Sequence, residues 1–262
     1  MYCYNKTVYT TKQEKSNKEE KSLYTFESVI RYSETDHNGI LTLPALLDYF
    51  QDCSVFHSEN AGVGYRKLLG ERIAWVINTW QIQVKRYPAL CEEVVIGTQP
   101  YELRGFLGLR NFLLKTKAGE TLAVANSVWS LVNLDTLMPI RIPEDMLQAY
   151  PLSEKLEMDY APRKLPFPQE GDIKELPQVK VVPHHLDTND HVNNGQYIKI
   201  AMDFLAEGEV KQLRAEYHRQ AFLDDVFHPR LHTGTAEDGA KKYTISLDDA
   251  SGKPYCVIEL TY

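Results

Sequence analysis

Cysteine is scarce in this chain, and the four present (Cys3, Cys53, Cys91 and Cys256) fall at no paired spacing. That leaves neither a thiolate zinc site nor a disulfide framework to expect. The four read as three small buried apolar side chains and one thiol near the N-terminus. No stretch of about 18 apolar residues occurs, the length a membrane-crossing helix needs. Positive charge is in deficit, 29 Lys and Arg against 36 Asp and Glu, for a formal net charge of −7. A nonspecific nucleic-acid binder needs the opposite balance. The G-x-S-x-G nucleophile elbow is missing. So are the glycine-rich signatures of a P-loop or a dinucleotide fold. A serine-nucleophile hydrolase and a nucleotide enzyme therefore have no support.

An apolar secretory segment is also lacking at the N-terminus. Residues 11–22, TKQEKSNKEEKS, are almost wholly polar and charged. Such a segment buries too little surface to offset its ordering entropy, so residues 1–22 are predicted to be a disordered tail. The tail carries too many acids for a typical organelle transit peptide, and a cytoplasmic protein is expected.

The remainder is rich in core-forming residues. Hydrophobic side chains make up 43% of 262 residues, with 16 Tyr and 9 Phe, a composition that leans toward strands. A weak internal repeat emerges when Asp36-His37 is set on Asp190-His191, which brings Phe50 onto Phe204. In the first copy Leu43, Leu46, Leu47, Phe50 and Cys53 recur at helical spacing. Thr42 is placed to cap that helix, and Pro44 is tolerated in its first turn. In the second copy Tyr197, Ile200, Ala201 and Phe204 keep the stripe, with Asn194 or Gly195 at the start. Strand-like segments follow each helix: 72–84, 93–103, 107–117 and 121–134, then 211–220, 226–235, 241–248 and 254–262. One more precedes each, 24–32 and 177–185. One helix covers a strongly twisted sheet of this size only if the sheet curls around it. The expected fold is thus α+β, a tandem (double) hotdog. Residues 23–148 form the first hotdog and 177–262 the second, and the Pro-, Lys- and Glu-rich stretch 149–176 is the linker.

The chemistry concentrates in residues 187–197, DTNDHVNNGQY, directly before the second helix. Were this segment extended, Asp187, Asn189 and His191 would share one face. A carboxylate orients, an amide N–H steadies an oxyanion, and an imidazole takes a proton near neutral pH. That set suits hydrolysis of an activated acyl compound by water, without a covalent intermediate. The rival readings are local turn chemistry for Asp187 and Asn189 and a structural role for His191. At offset 154 the first copy has Ser33 and Thr35 in place of the acid and amide, which implies one catalytic and one binding half. A metal set of His185, Asp187 and His191 is conceivable on paper, but neither metal nor cofactor is expected.

Several segments together resemble the acyl-acyl-carrier-protein thioesterases of plants and bacteria. They are IAWVINTWQIQVKRYP (73–88), GETLAVANSVWSLVN (119–133), IPED (142–145), LDTNDHVNNGQYI (186–198) and EYHRQ (216–220). The resemblance runs over most of residues 24–262 and implies tandem hotdogs that cleave fatty acyl thioesters of acyl carrier protein. By it Asp187, Asn189 and His191 match the catalytic D-x-N-x-H, with the acyl pocket largely in the first half. Trp75 and Trp129 sit where the family has Trp and are candidate pocket residues. Asn194 and Gly195 are candidates for backbone donation to the substrate. The family commonly ends its E-Y-x-R-x-x run with Glu-Cys, where this chain has Gln220 and Ala221. No cysteine nucleophile or carboxylate base is available there. Gln220 becomes a supporting water-holder, and the general base falls to His191.

Acyl carrier protein is acidic, so docking would use local cations, with candidates Lys85-Arg86, Arg104, Arg110, Arg163-Lys164 and Arg214. The alternatives to this reading are an acyl-CoA thioesterase, a non-catalytic acyl-binding hotdog and, last, a hydratase. Fused hotdogs already supply the interface that single ones gain by pairing, so a monomer is plausible beside a homodimer.

Overall fold

Strands that bury one face against a helix alternate in burial along the chain, and β1 (Tyr24–Val29) does so throughout. The computed structural model describes residues 23–205 and 208–262. The expected tail, residues 1–22, and Cys3 lie outside the described residues. After β1 come β2 (Ile73–Val84), β3 (Glu93–Arg104), β4 (Leu107–Thr116), β5 (Thr121–Asn133), β6 (Asp172–Glu175) and β7 (Val179–Lys180). The second half continues with β8 (Gln212–Tyr217), β9 (Val226–Thr235), β10 (Lys241–Asp248) and β11 (Pro254–Thr261). The helices are α1 (Leu43–Asn60), α2 (Tyr65–Gly70), α3 (Glu144–Ala149) and α4 (Asn194–Met202).

One sheet runs β1-β3-β4-β5-β2-β8-β11-β10-β9, and β6 and β7 both pair with β9. Read outward from the centre, β2-β5-β4-β3-β1 is answered by β8-β11-β10-β9-β7. The two halves meet antiparallel at β2 and β8, from Thr79 opposite Glu216 to Gln83 opposite Gln212. Each half curls round one helix, which makes the expected tandem hotdog. Helix α1 starts where Thr42 Oγ1 accepts the Ala45 N–H at 3.3 Å. Its apolar stripe carries Phe50 to Trp80 and Phe112, with ring centroids 6.5 and 5.3 Å away. Among the described residues no helix is long and apolar enough to cross a membrane.

Several details depart from the sequence reading. Residues 177–185 give only the two-residue β7, because Pro183 has no N–H to extend a ladder and opens a 3-10 turn, Pro183–His185. The 24–32 segment likewise ends at Val29. Helix α4 stops at Met202, which leaves Phe204 in the following turn. Cys53 and Cys256 are buried, but Cys91 is exposed in a turn at φ +66°.

Residues 149–176 are more than a spacer. Buried amides on the outer face of the sheet hold them down: Gln81 Nε2 donates to Asp159 O at 2.6 Å, and Asn111 Oδ1 accepts from Leu156 N at 3.1 Å. Glu216 Oε2 accepts from Leu165 N at 2.6 Å. Leu165 and Phe167 then pack on Val257, and Asp172–Glu175 joins the sheet as β6.

The internal repeat runs at an offset of 151 residues (187 − 36), not 154. The N–H of Asp36 bonds Ile40 O at 2.8 Å, and that of Asp187 bonds His191 O at 2.8 Å. Asp36 Oδ1 accepts from Asn38 N at 2.9 Å, and Asp187 Oδ1 accepts from Asn189 N at 2.7 Å. Bridges Thr35–Leu41 and Leu186–Val192 correspond, as do left-handed Gly39 (φ +72°) and Asp190 (φ +59°). Thr42 and Asn193 are the matching helix caps. Ser33 and Thr35 are therefore not the counterparts of Asp187 and Asn189. The first copy keeps an acid and an amide, Asp36 and Asn38, and Ile40 replaces His191.

Candidate active site

The segment 187–191 is a tight turn rather than a strand, which overturns the extended geometry behind the shared-face argument. Asp187 caps its own turn through the Asn189 N–H, and the Asp187 N–H reaches back to His191 O. Short carboxylates favour this local bond over an extended backbone. The turn chemistry expected as a rival reading is thus present.

The turn faces a cavity of about 560 Å³. One face of α1 (Gln51, Ser54, Val55, Ser58) runs along it, at three- and four-residue steps. Leu68 and Leu69 of α2, Ile73 and Trp75 of β2, and Leu103, Gly108 and Arg110 supply most of the rest. Asp187, Thr188, Asn189, Asn193 and Asn194 close it on the second-half side. A Cβ added at Gly108 would stand 3.1 Å from the Trp75 ring, so any larger residue would make that indole give way by a few tenths of an ångström.

Of the residues picked from sequence, Asp187, Asn189, Asn194, Trp75 and Trp129 line this one cavity. His191, Gln220 and Gly195 are not in its lining. The His191 ring packs edge-on against Phe222 with centroids 4.8 Å apart. Gln220 follows β8, and the next residue, Ala221, is buried and clamped between Val192 N (2.9 Å to its carbonyl) and Tyr197 OH (3.0 Å to its N–H). Gly195 is buried at the start of α4, where an added Cβ would stand 3.3 Å from Asp48 Oδ1 and from Asn193 Oδ1. His185 Nδ1 accepts the Val182 N–H at 3.2 Å. That bond commits the nitrogen to its own turn.

The side-chain amide of Gln51, which the sequence did not single out, connects the two halves here through the side chain of Asn194, a residue expected to act through its backbone. Asn194 Nδ2 donates to Gln51 Oε1 at 2.8 Å, and Asn194 Oδ1 is buried with no partner among the described residues. The Asn194 carbonyl accepts from Tyr217 OH at 3.0 Å. Burial pushes that phenol well above its ordinary range, so it stays a neutral donor.

Among the described residues Asp187 is the single carboxylate in the cavity lining and Arg110 the single cation. Arg110 had read as a solvated docking charge. Instead it is 9% exposed, with Nη1 2.8 Å from His57 Nδ1 and 3.3 Å from Thr98 Oγ1. Its guanidinium lies over the Tyr150 ring, 5.3 Å from the centroid. Burial and the Arg110 charge push the His57 pKa down to about 3. Two other docking candidates are already paired, Arg86 with Glu92 and Glu120, and Arg214 with Glu259.

A second, polar cavity of about 510 Å³ adjoins the first and shares Gln51 and Asn193 with it. Burial raises the carboxyl pKa of Asp48 and Asp52 in its wall, and Lys199 stands 3.6 Å from Asp48.

Comparison with known proteins places this geometry. The family profile described as the acyl-ACP thioesterase N-terminal domain matches residues 21–150, and that of the C-terminal domain matches residues 169–262. The chain is 26% identical over 249 residues to oleoyl-acyl carrier protein thioesterase 2, chloroplastic, of Arabidopsis thaliana, covering 84% of this chain and 66% of that one. Curated relatives are longer: this chain spans 66%, 58% and 65% of three of them. Among crystal structures, a Lactobacillus plantarum protein described as an oleoyl thioesterase superposes with a TM-score of 0.83 at 20% identity. That match covers 92% of this chain and 95% of the other. An acyl-ACP thioesterase from Bacteroides thetaiotaomicron gives 0.78 at 19% identity, over 91% and 97%. At such identities the structural likeness speaks for the fold.

Proposed function

The chain belongs to the acyl-ACP thioesterase family, and from that premise we propose that it hydrolyses fatty acyl thioesters of acyl carrier protein to free fatty acid and the holo carrier. The observation that carries this reading is the placement of an acid–amide turn in the wall of an otherwise largely apolar cavity of about 560 Å³. The acyl chain occupies the cavity and the thioester lies at the turn. Water attacks the carbonyl carbon, and the Asp187 carboxylate, the one acid in the lining, takes its proton. The buried, partnerless Asn194 Oδ1 accepts the water's other hydrogen. The Asn189 amide donates to the developing oxyanion. Collapse expels the pantetheine thiolate, which takes the proton held by Asp187 and leaves, restoring the carboxylate. His191 lies outside the lining and is assigned to proton exchange at the turn's outer side.

No cofactor is needed, because a thioester carbonyl is already electrophilic and a thiolate leaves readily. A cytoplasmic monomer completes the proposal, and light scattering after gel filtration checks its second half. The deciding experiment compares kcat/KM on acyl carrier protein and CoA thioesters of equal chain length. Preference for the carrier protein supports the proposal. Equal or better turnover of CoA thioesters replaces the carrier, and the absence of free thiol from both ends the enzymatic reading.

A further inference from the structure

The cavity wall away from the acid–amide turn holds a cation that the thioesterase mechanism does not use. Arg110 of β4 is more than nine-tenths buried, and among the described residues no carboxylate pairs with it. Its protein partners are the Nδ1 of His57, the hydroxyl of Thr98 and the ring of Tyr150. All are neutral, so the positive charge stays uncompensated in the wall of an apolar cavity. Only Nη1 is engaged among the described residues. The remaining N–H groups of the fork are free for a ligand, and a planar guanidinium matches a carboxylate in geometry and charge. A hydrocarbon methyl against it would leave a desolvated charge with nothing to offset it.

Helix α1 measures how far this cation lies from the turn. Gln51 bonds Asn194 beside the turn, and Ser58 accepts a 2.7 Å bond from Tyr150 OH, whose ring underlies Arg110. Seven helical residues span ~10 Å. An extended chain advances ~1.25 Å per carbon–carbon bond from ordinary bond lengths and angles, so the gap holds roughly eight carbons.

We propose that Arg110 is the far-end recognition group of the acyl pocket, and that the favoured substrates are medium-length acyl thioesters ending in a carboxylate, the monothioesters of α,ω-dicarboxylic acids. The proposal rests on the thioesterase reading for its reaction, but not for its binding site.

The test uses the full chain and two probes per assay. Hydrolysis is compared for octanoyl and 7-carboxyheptanoyl carrier protein, and binding by calorimetry for octanamide and 7-carboxyheptanamide, whose amide heads leave the far end as the one possible carboxylate. The wild type is expected to favour the carboxylate-ended probe by about tenfold or more in both assays, a factor worth one decade of affinity. Arg110→Met should abolish that preference and Arg110→Lys should keep part of it. Circular dichroism establishes that each variant is folded, and if Arg110→Met is not, the wild-type ratios and Arg110→Lys decide. A wild type that favours the methyl-ended probes, or an unchanged ratio in folded Arg110→Met, overturns the proposal. Hydrolysis without the preference leaves the thioesterase standing and removes this site. Arg110-dependent binding of 7-carboxyheptanamide without any hydrolysis does the reverse.

Discussion

A carboxylate that already accepts a backbone hydrogen bond is aimed before any substrate arrives. Asp187 Oδ1 is fixed by the Asn189 N–H, and the same bond sets the backbone from which the Asn189 amide projects. Turn chemistry and the proposed catalysis are therefore compatible readings of these residues, since the turn would position them for it. Asp187→Asn is expected to lower kcat by ~10²–10⁴, the usual worth of a general base. Asn189→Ala should cost ~10²–10³, the worth of one oxyanion donor. His191→Ala should cost clearly less than Asp187→Asn, because the imidazole is outside the cavity lining. Equal losses in steady-state kinetics would return the base to His191. The acid and amide were legible from sequence as a motif, but their turn was not. Alternating residues suit either an extended face or a self-capped loop, and the left-handed Asp190 decides for the loop. Partners such as buried Arg110 and half-buried Gln51 left no local signal, because an isolated charged or amide residue in an apolar strand or helix has the look of a surface position. His57 adds a pH dependence of its own. Its pKa is depressed to about 3 in the folded state. Below its ordinary ~6.5 the unfolded chain takes up a proton here that the folded chain refuses. Stability should therefore fall as pH drops from ~6.5 toward 3, by up to ~1.4 kcal/mol per unit, and this site should contribute nothing above that range. Urea unfolding near pH ~7 and ~5 should show a smaller difference for His57→Gln than for wild type.

Helix starts carry the same logic one level up. Thr42 caps α1 and Asn193 caps α4, at matching places in the repeat, but of the two only Asn193 borders the largely apolar cavity. Asn193 Oδ1 holds the Gly195 N–H at 2.8 Å, just where α4 presses on Asp48 and Gln51 of α1. Replacing either cap by Ala should destabilise by ~1 kcal/mol. Asn193→Ala should in addition lower kcat by an order of magnitude or so, because losing the cap frees the Asn194 side chain from Gln51. Urea midpoints paired with turnover numbers separate the two effects, and a similar loss of kcat in Thr42→Ala would show that generic loosening is responsible. The helices themselves were readable from apolar spacing and caps. The register between copies was not, because Asp36-His37 and Asp190-His191 share a dipeptide that is three residues out of structural alignment. Hydrogen bonds, rather than letters, pair D-H-N-G-I with D-T-N-D-H.

At the scale of the whole molecule, the central question is whether the halves are separable. Composition and pattern gave two hotdogs and a linker, yet the linker is bound across the sheet by Gln81, Asn111 and Glu216, a role invisible in isolated amides and acids. Strand β2 pairs with β8 over Thr79–Gln83, so a first half alone would expose a row of unpaired backbone groups at what is now the middle of the sheet. Gln81 would also lose Asp159, Ala161 and Gln212, its partners beyond residue 148. Both arguments predict that neither half has its own unfolding transition. The chain supplies the reporters. All three tryptophans, Trp75, Trp80 and Trp129, are in the first half, and the buried thiol of Cys256 is in the second. Tryptophan fluorescence and the reactivity of Cys256, read in a Cys3→Ala, Cys53→Ala, Cys91→Ala background, should give superimposable urea transitions, the mark of one cooperative unit. Two resolved midpoints would mean that the β2–β8 seam and the strap across it are too weak to couple the halves, and that the substrate cavity between them opens without either hotdog unfolding.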